Sequence, residues 1–185
     1  MLYVMKLSAT IVCAFGAVGI SISSPALADE HLSAEEAEWL TAHNQARKAF
    51  GTAPLRWSDK LARDARVWAE QLARENTIRH SAQDTRNPSG ENLWMGTRGY
   101  FPASRMIGYF VDEQRYFQAG RFPNVSITGN WSDVGHYTQI VWTDTREVGC
   151  AKASNAQNDV LVCRYFPGGN VIGQRIAPLS RVARR

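Results

Sequence analysis

The sequence predicts a single α+β domain with its helices first and its strands last. Three observations carry this. Apolar residues recur at helical spacing through 33–51, again through 58–72, and a third time from Ser104 onward. Two β-like runs, Glu147–Ala153 and Asp159–Pro167, follow late in the chain around a turn-rich segment. No internal repeat or low-complexity linker divides residues 29–185.

Taken in order, Ser33-Ala34-Glu35-Glu36 has the form of a capping box, so a helix starts there. Trp39, Ala42, Ala46, Ala49 and Phe50 then share one face, and Gly51 can close the helix in the left-handed region. Thr52–Trp57 is a connection made extended by Pro54. Ser58 caps a second helix, whose Leu61, Ala65, Trp68, Ala69 and Leu72 form a continuous apolar stripe. Residues 76–103 are rich in Gly, Asn, Ser and Pro and read mainly as loop. Ser104 opens a third helix, with Met106, Phe110 and Phe117 on one face beside Ile107 and Val111. Residues 118–134 read as loop again, and a short helix is expected over about 136–142. In the late hairpin, centring the turn between Ala156 and Gln157 places Cys150 directly opposite Cys163. Cross-strand spacing there suits a disulfide.

Lys6 precedes an apolar run, Leu7–Ile22, and then Ala26-Leu27-Ala28, the pattern of a signal peptide (1–28) cut after Ala28. A membrane anchor is the alternative, but the run is short for a span and contains Ser and Gly. The domain is then 29–185. Without Lys6, 20 of the 21 basic residues remain against 17 acidic ones, a formal charge of +3. That permits contact with anionic lipid or polysaccharide but lacks the dense basic face that nucleic acid needs. Arg175, Arg181, Arg184 and Arg185 hold much of the excess, and 175–185 is expected to be a loose basic tail. After cleavage Cys150 and Cys163 remain, an even pair suited to an oxidising compartment. The expectation is a secreted protein with no stable membrane span, periplasmic if the host is a Gram-negative bacterium.

Gly135–Thr145, GHYTQIVWTDT, and Val160–Val171, VLVCRYFPGGNV, resemble the two signatures of the CAP superfamily. That superfamily comprises cysteine-rich secretory proteins, antigen 5 and pathogenesis-related class-1 proteins. His43-Asn44-Gln45-Ala46-Arg47, Pro54-Leu55-Arg56-Trp57 and Trp68-Ala69 are similar to its opening region. The resemblance implies a three-layer α-β-α sandwich with a mostly antiparallel central sheet. It also implies a cleft of two histidines and two glutamates. They are His80 before Ser81, Glu91 in Gly90-Glu91-Asn92-Leu93, Glu113 in Phe110-Val111-Asp112-Glu113, and His136. Phe110 stands where many relatives have Trp, and Asp112 competes with Glu113 for the same role.

Two neutral imidazoles flanked by carboxylates suit a labile divalent metal such as zinc. His80 and His136 would ligate it, with Glu91 and Glu113 as further ligands or as groups that orient the rings. The alternative is a metal-free network that holds the loops together. His43, beside Asn44, is expected to play a structural hydrogen-bonding role, and His31 to be merely exposed. The chain has no Gly-x-Ser-x-Gly elbow and no His-Glu-x-x-His helix, and the Ser81–His80 neighbours are expected to point apart. The leading expectation is therefore a secreted binding protein for a small hydrophobic ligand, sterol or other lipid, or for another extracellular partner. A second is a metal-assisted hydrolase with Glu91 or Glu113 as general base. A third is a protein- or polysaccharide-interaction module whose cleft is vestigial. Trp94, Tyr100, Phe101, Phe122 and Trp131 are candidates for an apolar wall or, residue by residue, for plain core.

Overall fold

The computed structural model describes residues 32–82 and 88–178. The expected signal segment 1–28 and His31 lie outside them. The starts of the first two helices fall where the capping residues put them. The Ser33 side chain accepts from the Glu36 amide while the Glu36 carboxylate accepts from the Ser33 amide, which closes the capping box of α1, Ala34–Phe50. Gly51 ends that helix at φ 97°, a conformation costly for any residue with a Cβ. A short extended stretch then gives β1, Arg56–Trp57. Ser58 caps α2, Asp59–Glu75, which buries Leu61, Ala65, Ala69 and Leu72 and ends at Asn76.

Within 76–103, expected to be mainly loop, lies an eight-residue strand, β2, Gly90–Thr97. The third helix, α3, spans Ala103–Val111 behind Pro102 and then tightens into a 3-10 turn, Asp112–Tyr116. Phe117 therefore does not share its helical face; it starts β3, Phe117–Arg121. The expected loop over 118–134 likewise holds most of β3 together with β4, Asn124–Ser126, and a 3-10 turn at Trp131–Asp133. Next come α4, Gly135–Val141, then β5, Glu147–Ser154, and β6, Asn158–Phe166. The expected loose tail is also corrected at its start. Arg175–Ile176 form β7 against β3, with Ile176 buried; residues 179–185 lie outside the described set.

The central sheet has the order β1-β5-β6-β2, antiparallel except for the β1–β5 edge pair. Residues of α2 pack on one face of it, against Leu93, Ala151, Val160 and Val162. The other face carries Trp94, Val148, Cys150, Leu161, Cys163 and Tyr165 into a second core with α1, α3 and α4. This is the three-layer α-β-α arrangement. With both faces covered, the run Val160-Leu161-Val162-Cys163 has no polar position to expose. Burial of each of its large aliphatic side chains contributes about 1.5–3 kcal/mol. Cys150 and Cys163 are register partners and are joined as a disulfide. Gly149 lies under the start of α2, where an added Cβ would stand 2.3 Å from the Ala62 amide nitrogen. Only glycine allows the helix to approach β5 so closely. A second, smaller sheet runs β4-β3-β7.

Candidate functional site

The site grows from two histidine–glutamate pairs, each built by a different set of elements. After Asn76 closes α2, residues 77–80 turn back along it. The Trp68 indole donates to the Arg79 carbonyl at 3.1 Å, and the Arg79 guanidinium covers the Trp68 ring at 4.6 Å. That strap sets His80 beside β2, where its Nδ1 donates to Glu91 Oε1 at 2.8 Å. Ser81 adds its amide to Oε1 at 3.0 Å and its hydroxyl to Oε2 at 2.8 Å. Arg164, the cross-strand partner of Glu91 on β6, closes the set at 3.1 Å. Ser81 thus serves the glutamate and not a serine–histidine dyad.

Electrostatics follow from these contacts. Burial alone would raise the Glu91 carboxyl, but the bonds from His80 and Ser81 and the charge of Arg164 outweigh it and hold the group below its ordinary value. The bond to Glu91 in turn raises His80 above the usual imidazole range, against a smaller lowering by burial.

The second pair sits at the start of α4. Glu113 Oε1 accepts from His136 Nδ1 at 2.6 Å, while Oε2 accepts from the His136 and Tyr137 amides at 2.9 and 3.1 Å. One carboxylate therefore fixes the ring and satisfies two open amides of the helix end. The neighbouring Asp112 does not compete, because Arg105 holds it at 3.0 Å. Phe110 stacks on the His136 ring with centroids 4.8 Å apart.

Behind the site runs a buried chain of hydrogen bonds. His43 Nδ1 donates to the Trp39 carbonyl at 2.7 Å, leaving Nε2 to accept from the Tyr165 hydroxyl at 2.8 Å. Asn92 Nδ2 donates to that hydroxyl oxygen and to the His136 carbonyl, both at 3.1 Å. Burial, partly opposed by the Trp39 bond and aided by Arg47, pushes His43 down to about 4, so it stays neutral. Burial likewise pushes the Tyr165 phenol up, against a smaller lowering by the Asn92 bond. The structural role expected of His43 holds, and Asn44 matches it by bridging both backbone groups of Leu55.

The loop after β6 is clamped to α4. The Thr138 hydroxyl donates to Asn170 at 2.7 Å, Asn170 donates to the Gly135 carbonyl at 2.8 Å, and the Gly169 amide donates to Gln139 at 2.8 Å. Between that loop, β2 and α4 lies a cleft of about 890 Å³. His80, Glu91 and His136 line it, together with Phe122, Trp131, Phe166, Val171 and Ile172. Glu113 does not; it stands behind His136. Of the candidate wall residues, Phe122 and Trp131 are in the cleft, with ring centroids 5.3 Å apart. Trp94, Tyr100 and Phe101 instead form a separate aromatic group with Tyr109.

Sequence reasoning did not assign roles to Arg164, Asn92, Tyr165, Gln139 or Asn170. Four of these fall in the two signature stretches, which marked the positions without saying what they hold. A further donor group, His43 with Cys150 and Cys163, has its atoms within 4.8 Å of one another. It does not fit a metal, since both sulfurs are in the disulfide and both His43 nitrogens are in use.

The model of the cysteine-rich secretory protein family, CAP, matches residues 40–165. The chain belongs to that family. Pathogenesis-related protein 1C of Nicotiana tabacum is 35% identical to this CAP chain over 145 residues, covering 78% of it and 82% of the relative. Golgi-associated plant pathogenesis-related protein 1 of Homo sapiens is 33% identical over 138 residues, covering 74% and 85%. Among solved structures, NaASP2 with Zn2+ is similar over 80% of this chain and 88% of its own, with TM-score 0.63 and 22% identity. BmVAL-1 is similar over 80% and 84%, with TM-score 0.66 and 21% identity. These likenesses establish the CAP fold for the chain.

Proposed function

We propose that this CAP protein is exported and binds a small apolar ligand, a sterol or other lipid, in the cleft between His80 and His136. The observation that carries the reading is the cleft itself. Its volume suits a small organic molecule, its exposed surface is mainly apolar, with Phe122, Trp131, Phe166, Val171 and Ile172 among the lining residues, and His80, Glu91 and His136 add polar groups. Export is supported by the leader pattern in the sequence and by the disulfide, which belongs to an oxidising compartment.

The same reading gives the cleft a labile divalent metal shared by the two imidazoles. Each Nδ1 is committed to a carboxylate, which turns the Nε2 lone pair outward as a ligand and leaves Glu91 and Glu113 to orient the rings. His80 and His136 would hold the ion. The zinc in the similar NaASP2 structure supports this choice of metal. Bound zinc would supply a Lewis-acidic centre in the cleft beside the two imidazoles. Hydrolysis is the weaker alternative, because each Glu91 oxygen already has two donors and Glu113 does not line the cleft.

Saturable binding of a fluorescent sterol, set beside a casein cleavage assay, tests the reading. Binding without chelator-sensitive cleavage is expected; cleavage that vanishes with chelator and with Glu91→Ala would replace it by the hydrolase. Calorimetric titration with Zn2+ should give heat that the His80→Ala/His136→Ala variant loses. Equal heats from both proteins would remove the metal.

A further inference from the structure

Three apolar side chains stand in water around the mouth of the cleft. Ile172 is 80% exposed, Trp131 47% and Val171 40%, and all three line the cleft edge. Single exposed apolar residues are ordinary, but three on one rim and continuous with an apolar cleft form a patch.

Charge supplies an independent observation. Arg121 and Arg175 are direct cross-strand partners in β3 and β7, so their side chains leave the same face with Cβ atoms roughly 5 Å apart. Both are exposed, and neither has a carboxylate partner among the described residues. The Arg121 guanidinium donates to the Gly173 carbonyl at 2.9 Å, which sets the charge pair against the base of the loop that carries Ile172. Like charges directly opposite weaken a strand pair, so the Arg121–Arg175 pairing itself adds no stability to the sheet. It suits an anionic layer outside it. The acid beside Trp131, Asp133, is engaged by Thr128 and Asn130 at 2.6 and 3.4 Å.

We propose that this rim is a contact surface for an anionic lipid bilayer. Ile172, Val171 and Trp131 enter the interfacial layer, and Arg121 and Arg175 meet the headgroup phosphates. Apolar side chains and neighbouring arginines are the combination that holds a protein peripherally at such a surface. No helix among the described residues is long and apolar enough to cross a membrane. The docked cleft opens onto the lipid, and an apolar ligand can pass between them without crossing water. The surface extends the cleft reading and is measurable separately from it.

Cosedimentation of the exported chain, with its leader removed, with phosphatidylglycerol and with phosphatidylcholine vesicles tests the proposal. Binding to the anionic vesicles is expected, weakening as salt rises, with little binding to the zwitterionic ones. Arg121→Gln/Arg175→Gln should weaken it about 30-fold, and Arg175→Gln alone about five-fold. The single variant breaks no side-chain hydrogen bond among the described residues, so a loosened loop cannot explain its loss. Ile172→Asp should cost about tenfold or more, with near-ultraviolet circular dichroism unchanged. Equal affinity for both lipids, unaffected variants, or no anionic binding at low salt would each overturn the surface. A chain that ignores vesicles yet binds the fluorescent sterol in solution would lose the surface and keep the cleft.

Discussion

Glu91 shows how much a single carboxylate can organise. Its side chain is 1% exposed while its partner His80 is 63% exposed, so the pair is buried on one side and wet on the other. The raised His80 value means that its share of stability is full below about 6.5 and lost as pH rises through the raised value. The lowered Glu91 value means that its share is present above about 4.5 and lost as pH falls through the lowered one. The pair is therefore strongest between those limits, and solvent screening of His80 keeps its stability effect small. In chelator-treated protein, the His80 titration followed by nuclear magnetic resonance should have its midpoint above 6.5. In Glu91→Gln it should fall back toward that value. An unchanged midpoint would show that the Nδ1 bond does not form in solution. His80 and Glu91 were legible only through their resemblance to a family pattern, since no spacing rule joins residues eleven apart on a strap and a strand. Of the chain from His43 through Tyr165 to Asn92, only the structural role of His43 was legible. Its members come from α1, β6 and β2, and nothing in a sequence reports a hydrogen bond between them.

At the scale of elements, α4 is seven residues long and would be marginal alone. Glu113 holds its start and Arg47 its end. Arg47 is fully buried and donates to the Ile140, Trp142 and Thr145 carbonyls at 2.8, 2.9 and 3.1 Å. Burial, helped by the charge of Arg146, pushes it down to about 10, which leaves it charged at neutral pH. Arg47→Met would strand those carbonyls and should destabilise the protein by about 3 kcal/mol in urea denaturation. A loss under about 1 kcal/mol would mean that water replaces the guanidinium. Capped helices were easy to read because Ser33, Gly51 and Ser58 announce their ends. β2 was hidden for the opposite reason. It is covered on both faces, so Asn92-Leu93-Trp94-Met95 shows no polar–apolar alternation, and the glycines and asparagines around it imitate a loop. Phe117 misled through spacing. It falls on the face of Met106 and Phe110 only if the helix continues, and the chain tightens after Val111 instead.

For the whole molecule, the late hairpin is the axis on which the layers meet, and its register was readable because the turn residues and two cysteines agree. The small β4-β3-β7 sheet was not, since its outer strands β4 and β7, three and two residues long, carry no periodicity. The disulfide closes a short loop, with its cysteines 13 apart in sequence. Cys150→Ala/Cys163→Ala should lower the unfolding free energy by about 2–3 kcal/mol, measured by denaturation under non-reducing conditions. A negligible change would mean that hairpin packing already restricts the unfolded chain.

Both sulfurs are wholly buried, beside the His43 ring under α1. A dissolved thiol can touch them only after that helix and the hairpin part. The speed at which strong reductant severs the bond therefore counts how often the protein breathes at its centre, and the chain carries its own clock for that event.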